Sequence, residues 1–364
     1  MKVSSLRVEN FRNLLPQTLE LGGGLNVFVG NNAQGKTNML ESIYLCCLGK
    51  SVRTDRDKEL INWNAQSCFV SLECQGKSGE RQISLAISKE KKTASVNGMP
   101  FLRIGELLGY FNCIYFSPDE IDVVTMSPER RRRFLDIDLC QLNKRYYSAL
   151  VRFNKTLTQR NNLLKKAASV DALEQTLPIW DEALSKEGAV LTKIRKDFCA
   201  ALALNVEETH LRLTKEEKLE MSYLQNIEGK SEEEIGENYY KKLRASVQKD
   251  FALRFTTAGC QRDDIRFLVN GADIRNFGSQ GQQRTTALSL KLSELELFNK
   301  LTGEYPVLLL DDVLSELDTK RQRALLSFND KAQIILTATK IEKALIKDID
   351  TVKFRIKNGE AKRV

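Results

Sequence analysis

The stretch LNVFVGNNAQGKTNMLESIYL, residues 25–45, constrains this fold more than any other part of the chain. A short apolar run reads as a strand and KTNMLESIYL as a helix. The loop between them places Gly30, Gly35, Lys36 and Thr37 at every fixed position of G-x-x-x-x-G-K-[ST]. The chemistry of that motif depends on its context. In a strand–loop–helix unit the backbone amides of Asn31, Asn32, Ala33, Gln34, Gly35, Lys36 and Thr37 face an anion at a helix N-terminus. Lys36 then reaches the β- and γ-phosphates of a nucleotide such as ATP, and the Thr37 hydroxyl ligates Mg²⁺. A chance glycine-rich turn would not need the strand and helix on either side.

A loop of this kind needs a second metal handle, a carboxylate at the end of a buried strand. VLLLDDVLSELD, from Val307 to Asp318, offers an apolar run ending in Asp311 and Asp312. Asp311 stands where the metal-organising carboxylate belongs. Asp312 stands where an acid can take a proton from an attacking water. With Lys36 they are the candidate catalytic groups. A third element, FGSQGQQRT, carries Ser279, Gly281 and Gln282 at the spacing S-x-G-Q of an ABC-type signature, just before a helix expected to run through Phe298. A hydroxyl, a glycine amide and a helix N-terminus make a second anion site. SELD, Ser315 to Asp318, matches the D-loop of the same class. The next strand, QIILTAT, ends in Thr337 and Thr339, and Thr339 is a candidate sensor of the γ-phosphate. The sole histidine, His210, reads as structural or exposed.

Residues 1–118 read mostly as strands, interrupted by one helix at about 36–48 with Met39, Leu40, Ile43 and Cys47 on its buried face. Ser127-Pro128 opens a helical region to about Val206. Its expected break lies near ASVDALEQTLP, and a Glu/Lys-rich helix follows over about 231–251. Strands return at Ile265–Val269, Val307–Leu310, Gln333–Thr337 and Val352–Lys357. The expected fold is therefore α/β, a P-loop ATPase head of ABC type with a β-rich lobe. Its two parts, 1–118 and 261–364, are separated by a helical arm at 119–260.

Net charge is +8, and between Ser127 and Lys166 eleven Lys/Arg face three Asp/Glu, leaving 45 basic and 45 acidic residues elsewhere. The whole excess sits in one segment, which suggests a polyanion partner, with a solvated helix face as the alternative. Lys144, Arg145, Arg152 and Lys155 are the candidate contacts. Of Arg130 to Arg133, which sweep most of a helical turn, some must face inward. The eight cysteines are scattered with no C-x-x-C pair, so buried thiols are expected rather than disulfides or zinc. No apolar run reaches the ~20 residues of a membrane span. MKVSSLRVENF alternates like a strand rather than a signal peptide. A cytoplasmic protein is expected.

Taken together, these motifs resemble the RecF-like group of bacterial DNA replication and repair ATPases, relatives of the heads of SMC and Rad50-type ATPases. VENFRNL, GKSVRTDRDKELI, FSPDEIDVVTMSPERRRRFLD and GCQRDD extend the resemblance over essentially the whole chain. The group usually has Gly where Met126 stands and Pro-His where Cys260-Gln261 stands. The resemblance implies that Arg12 and Asn13, within VENFRNL, lie at the nucleotide. It implies further that an ATP-dependent homodimer, with the P-loop of one subunit facing the signature of the other, clamps DNA. Slow hydrolysis would reset the clamp, at most as a weak DNA-stimulated ATPase. The implied partners are RecR and RecO, with RecA loaded at single- or double-stranded gaps or junctions. The alternative is a structural SMC/Rad50-like head with another DNA-end or chromosome role, but the insertion is too short and irregular for long heptad arms. A transporter subunit would need a membrane partner and the histidine that transporters carry after the D-loop. An OLD-like nuclease would need a further acidic domain beyond Val364.

Overall fold

The strand before the P-loop is buried at every position, and a parallel sheet forms around it. In a computed structural model the chain divides into two units, 1–122 with 212–215 and 280–364, and 123–211 with 216–279. Residues 1–364 are described, the side chains of 120–122 excepted. The expected boundary at 260/261 falls inside the second unit, which runs to Ser279.

The first unit begins with β1 (Lys2–Glu9), β2 (Gln17–Glu20), β3 (Leu25–Val29) and α1 (Lys36–Leu48). β4 (Ser67–Gly76), β5 (Gly79–Ser88), β6 (Lys92–Val96), β7 (Met99–Pro100), β8 (Cys113–Phe116) and the single turn α2 (Pro118–Ile121) follow. After the second unit, the chain returns to this one for its remaining elements.

The second unit holds α3 (Pro128–Leu142), α4 (Lys144–Lys166) and most of α5 (Val170–Thr214). It adds β9 (Leu219–Leu224), α6 (Glu232–Ala245), α7 (Val247–Leu253), β10 (Asp264–Val269), β11 (Ala272–Asp273) and α8 (Ile274–Phe277). The first unit then resumes with α9 (Gln280–Thr302), β12 (Val307–Asp311), α10 (Thr319–Leu326), β13 (Ile334–Ala338), α11 (Lys343–Ile346), β14 (Thr351–Lys357) and β15 (Glu360–Arg363).

Two sheets share the first unit. One is antiparallel in the order β2-β1-β4-β5-β6-β7; the other, β15-β14-β3-β13-β12-β8, is parallel except for its β15 edge. β3, β12 and β13 are buried throughout, as continuous apolar runs in a covered parallel sheet should be. Register pairs Asp311 with Thr337 and Ala338 with Val29, so three strand ends meet at one edge of the sheet. Crevices at such carboxyl ends are where α/β sheets bind ligands.

The sequence reading gives α1 one buried face. Residues 39–47 are all buried, because the helix packs against strands of both sheets and joins them in one core with Val8, Leu72 and Leu309. This is why Glu41 and Ser42, polar by composition, lie inside.

The second unit departs further from the helical expectation. LEMSYL forms β9 and pairs antiparallel with β10. The break between helices comes at 167–169, and α5 runs unbroken through Pro178. Arg160 of α4, fully buried, pairs with Asp181 of α5 and Asp250 of α7, each at 2.7 Å. These charges are matched in place, since a buried ion left alone costs about 3–5 kcal/mol.

Candidate functional site

The P-loop is set by two close backbone approaches. A Cβ on Gly30 would stand 2.5 Å from the Ile356 carbonyl oxygen, and Gly35 holds φ +111° with Asn13 and Leu14 against it. Gln34 accepts from the amide of Asn358 at 2.7 Å, which pins the loop to the turn after β14. Asn31, Asn32 and Ala33 are exposed. Lys36 is buried. Its ammonium donates to the Gly30 and Asn31 carbonyls at 2.9 and 3.2 Å and lies 3.8 Å from the Asp312 carboxylate.

Thr37 Oγ1 donates to Asp311 Oδ1 at 3.0 Å, joining the first turn of α1 to the end of β12. Sequence reasoning paired these residues but missed what holds Asp311 still. Thr337 Oγ1 donates to the same oxygen at 2.8 Å and accepts from the Asp312 amide at 2.9 Å. The Tyr115 hydroxyl donates to Asp311 Oδ2 at 2.7 Å, and burial with the Asp311 charge pushes its pKa well up. Asp312 adopts a left-handed φ of 52°. Burial raises its carboxyl above the ordinary range against the opposing pull of Lys36. Thr339 lines a cavity of about 550 Å³ with Asp312 and Asn32, while Thr337 carries the hydrogen bonds.

Ser279 ends the second unit and Gln280 starts α9, with Gly281 and Gln282 in its first turn. The first turns of α9 are tied to the D-loop region. Arg321 of α10 donates to the Gly281 carbonyl at 3.1 Å and to Thr285 Oγ1 at 2.6 and 2.9 Å, and Arg284 pairs with Glu316 at 2.8 Å.

Arg12 grips Glu41, with Nη2 to Oε1 at 2.8 Å, and its Nη1 reaches the Glu59 carbonyl at 3.2 Å. Arg53 also pairs with Glu41, and Ser51 donates to it. Burial alone would raise the Glu41 carboxyl, but the Arg12 and Arg53 hydrogen bonds hold it below its usual range. Asn13 lies against the loop, donating to the Ala33 carbonyl at 3.4 Å and accepting from Asn38 at 2.6 Å.

The basic segment is less bare than its composition. Arg145 pairs with Glu232 at 2.6 Å, and Arg152 holds Glu187 through two bonds at 2.7 and 2.9 Å. Arg131 binds Asp264 and Arg132 donates to the Asp263 carbonyl, while Arg130 and Arg133 are exposed. Lys144 is exposed. Lys155, Lys165 and Lys166 are exposed on α4, with no ion pair among the described residues. His210 is buried against Glu217, so its role is structural, and burial lowers its pKa. All eight cysteines are buried outside any disulfide among the described residues, and burial pushes the Cys74 thiol to about 11. No helix among the described residues is long and apolar enough to cross a membrane.

The family model described as RecF/RecN/SMC N terminal domain matches residues 2–360. A DNA replication and repair protein RecF from Clostridium novyi (strain NT) is 44% identical, covering 93% of each chain. Its counterpart from Clostridium kluyveri is 40% identical over 100% of each. The chain belongs to the RecF family. Among solved structures, a recombination mediator protein RecF with ATP, of the RecFOR pathway, superposes with TM-score 0.91 at 36% identity, covering 100% of this chain and 97% of the other. An Smc head from Pyrococcus furiosus reaches TM-score 0.58 at 16% identity, covering 100% and 96%, and shares the fold. The expected α/β ATPase head and the DNA replication and repair family both stand.

Thr337→Val keeps the shape of the side chain but leaves the Asp311 oxygen and the Asp312 amide each short of a partner. Denaturant unfolding should show a loss of about 1–3 kcal/mol, with Thr337→Ser near wild type. An unchanged midpoint in the valine variant would contradict this role.

Proposed function

We propose that the P-loop binds ATP with Mg²⁺, and that ATP closes a two-fold dimer of this chain around DNA. The observation that carries the reading is the Thr37–Asp311 contact, which sets a hydroxyl and a carboxylate oxygen 3.0 Å apart beside the loop amides. These are hard oxygen donors of the kind Mg²⁺ takes, one or two from protein and the rest from phosphate and water. No group of three or more His, Cys, Asp or Glu among the described residues could hold a metal alone, which agrees with a site shared with phosphate. Thr37 and Asp311 would hold Mg²⁺, whose charge would offset that of the phosphates. Lys36 supplies the fixed cation beside them. Asp312, with its raised pKa, is suited to accept a proton from water.

The signature supports the two-subunit form. Ser279, Gly281 and Gln282 stand at the start of a 23-residue helix, an anion site that a partner's ATP would fill. ATP in a RecF relative of TM-score 0.91 supports the nucleotide. The RecFOR pathway of that relative supports RecR and RecO as partners, with RecA loading at gaps as the cytoplasmic outcome. Phosphate contact falls most naturally to Lys155, Lys165 and Lys166 of α4, and less to Arg145 and Arg152, whose charges Glu232 and Glu187 already offset.

Three substitutions separate the steps. Lys36→Ala should weaken ATP binding and abolish ATP-driven dimers. Ser279→Arg should leave ATP binding to monomers intact yet block the dimer, and Asp312→Asn should give dimers that persist. Equal loss of ATP binding in the last two would contradict a signature acting in trans.

For DNA, replacing Lys155, Lys165 and Lys166 with Ala should make the slope of log affinity against log salt shallower by roughly 2.7 on duplex, at about 0.9 per contact. The Arg145→Ala/Arg152→Ala pair should change it less. A slope unaltered by the three lysines would place DNA elsewhere.

A further inference from the structure

A nucleotide has a base as well as phosphates, and neither the P-loop nor Asp311 accounts for where that base goes. Next to the first turn of α1 is a cavity of about 400 Å³ whose walls include Asn38, Asn13, Arg12, Arg53, Glu59 and Trp63. That volume lies within the range of small-ligand pockets, ~300–1,000 Å³. Trp63 is 101% exposed, an indole standing wholly in water. Bare aromatic area of this size is unfavourable in water and gains by covering.

The ring is held on a fixed backbone. The Asn62 amide donates to the Asn10 carbonyl at 2.8 Å and the Ala65 amide to the Asn62 carbonyl at 2.9 Å. The Asn62 side chain donates to the Arg12 carbonyl at 2.6 Å, and the neighbouring Ile61 is buried in a bridge with Phe11. The segment before the P-loop therefore ties the two walls of the cavity together. Asn13 joins it to the loop through Ala33 and Asn38, and Asn62 joins it to the turn bearing Trp63. Glu41 and Glu59 together supply two negative charges against the two guanidinium groups of Arg12 and Arg53, so the cavity carries little net charge. What the cavity offers is consequently an aromatic plane, amides and the Glu59 carboxylate. These suit a neutral heteroaromatic ring with a polar edge better than a further anion.

We propose that Trp63 is the stacking platform for the purine base of the nucleotide whose phosphates occupy the P-loop, with Asn13 and Asn38 flanking the path between them. The proposal rests on the P-loop reading above. A base threading out from the N-terminal turn of α1 passes Asn38, lies along the Asn13 amide and meets the indole face. Stacking on one aromatic side chain gives binding that tolerates different bases, because every base has a π-face. Phosphates then fix the position of the nucleotide, and Trp63 adds affinity for its nucleoside half.

The chain has two tryptophans, so Trp180→Phe leaves Trp63 as the single fluorophore in the full-length protein. Titration with ATP should change Trp63 emission, whereas inorganic tripolyphosphate, which has no base, should not. Trp63→Ala should weaken ATP binding by roughly tenfold and leave tripolyphosphate affinity unchanged, with Trp63→Phe in between. Lys36→Ala should weaken both ligands. If Lys36→Ala loses both ligands while Trp63→Ala binds ATP like its parent, the P-loop reading stands and the base platform is wrong. If Lys36→Ala binds both normally, the P-loop reading itself fails. Weakened binding of a short oligothymidylate by Trp63→Ala, with ATP affinity unchanged, would assign the ring to a DNA base and overturn the proposal.

Discussion

The hydrogen bond from Thr37 to Asp311 joins residues 274 positions apart, and the rest of the first unit is arranged around it. Asp311 ends a strand that is buried at every position, so its carboxylate would be costly without partners. Thr37, Thr337 and Tyr115 supply them from α1, β13 and β8. Three separate elements thus converge on one carboxylate. The sheet order that puts β12 between β13 and β8 is what allows it.

Glu41 repeats the principle on the inner side of α1. Its carboxylate lies where packing between two sheets leaves no water, and it is matched by Arg12 and Arg53 from loops that the chain reaches before and after the helix. The consequence is positional. With both arginines tied to Glu41, Asn13 and Asn38 line the cavity beside them and bond to each other. One buried acid therefore fixes two arginines beside the P-loop. A similar division holds in the second unit, where Arg160 serves the buried carboxylates of Asp181 and Asp250, while Lys155, Lys165 and Lys166 of α4 point outward with no ion pair among the described residues.

Much of this was legible in the sequence because the P-loop and the Asp311 strand have fixed spacings tied to fixed geometry. The bounds of α1 and the identity of β3 and β12 follow from that. Partners were harder to read. Thr337 and Tyr115 come from strands far away in the chain, and nothing local to QIILTAT distinguishes Thr337 from Thr339. Glu41 sits on a helix whose polar residues would suggest a wet face, and only packing on both sides buries it. Pro178 reads as a helix breaker, yet α5 passes through it. Counting charge picked out the basic segment, but counting alone could not show that Glu187 and Glu232 fold back onto two of its arginines.

Sedimentation of the full chain with ATP, ADP or no nucleotide, each with and without a gapped duplex, tests the central claim most directly. Dimers should form with ATP alone, and DNA should bind tightly only to that form. Dimers of equal strength with ADP or without nucleotide, or DNA binding indifferent to ATP, would contradict a clamp closed by nucleotide.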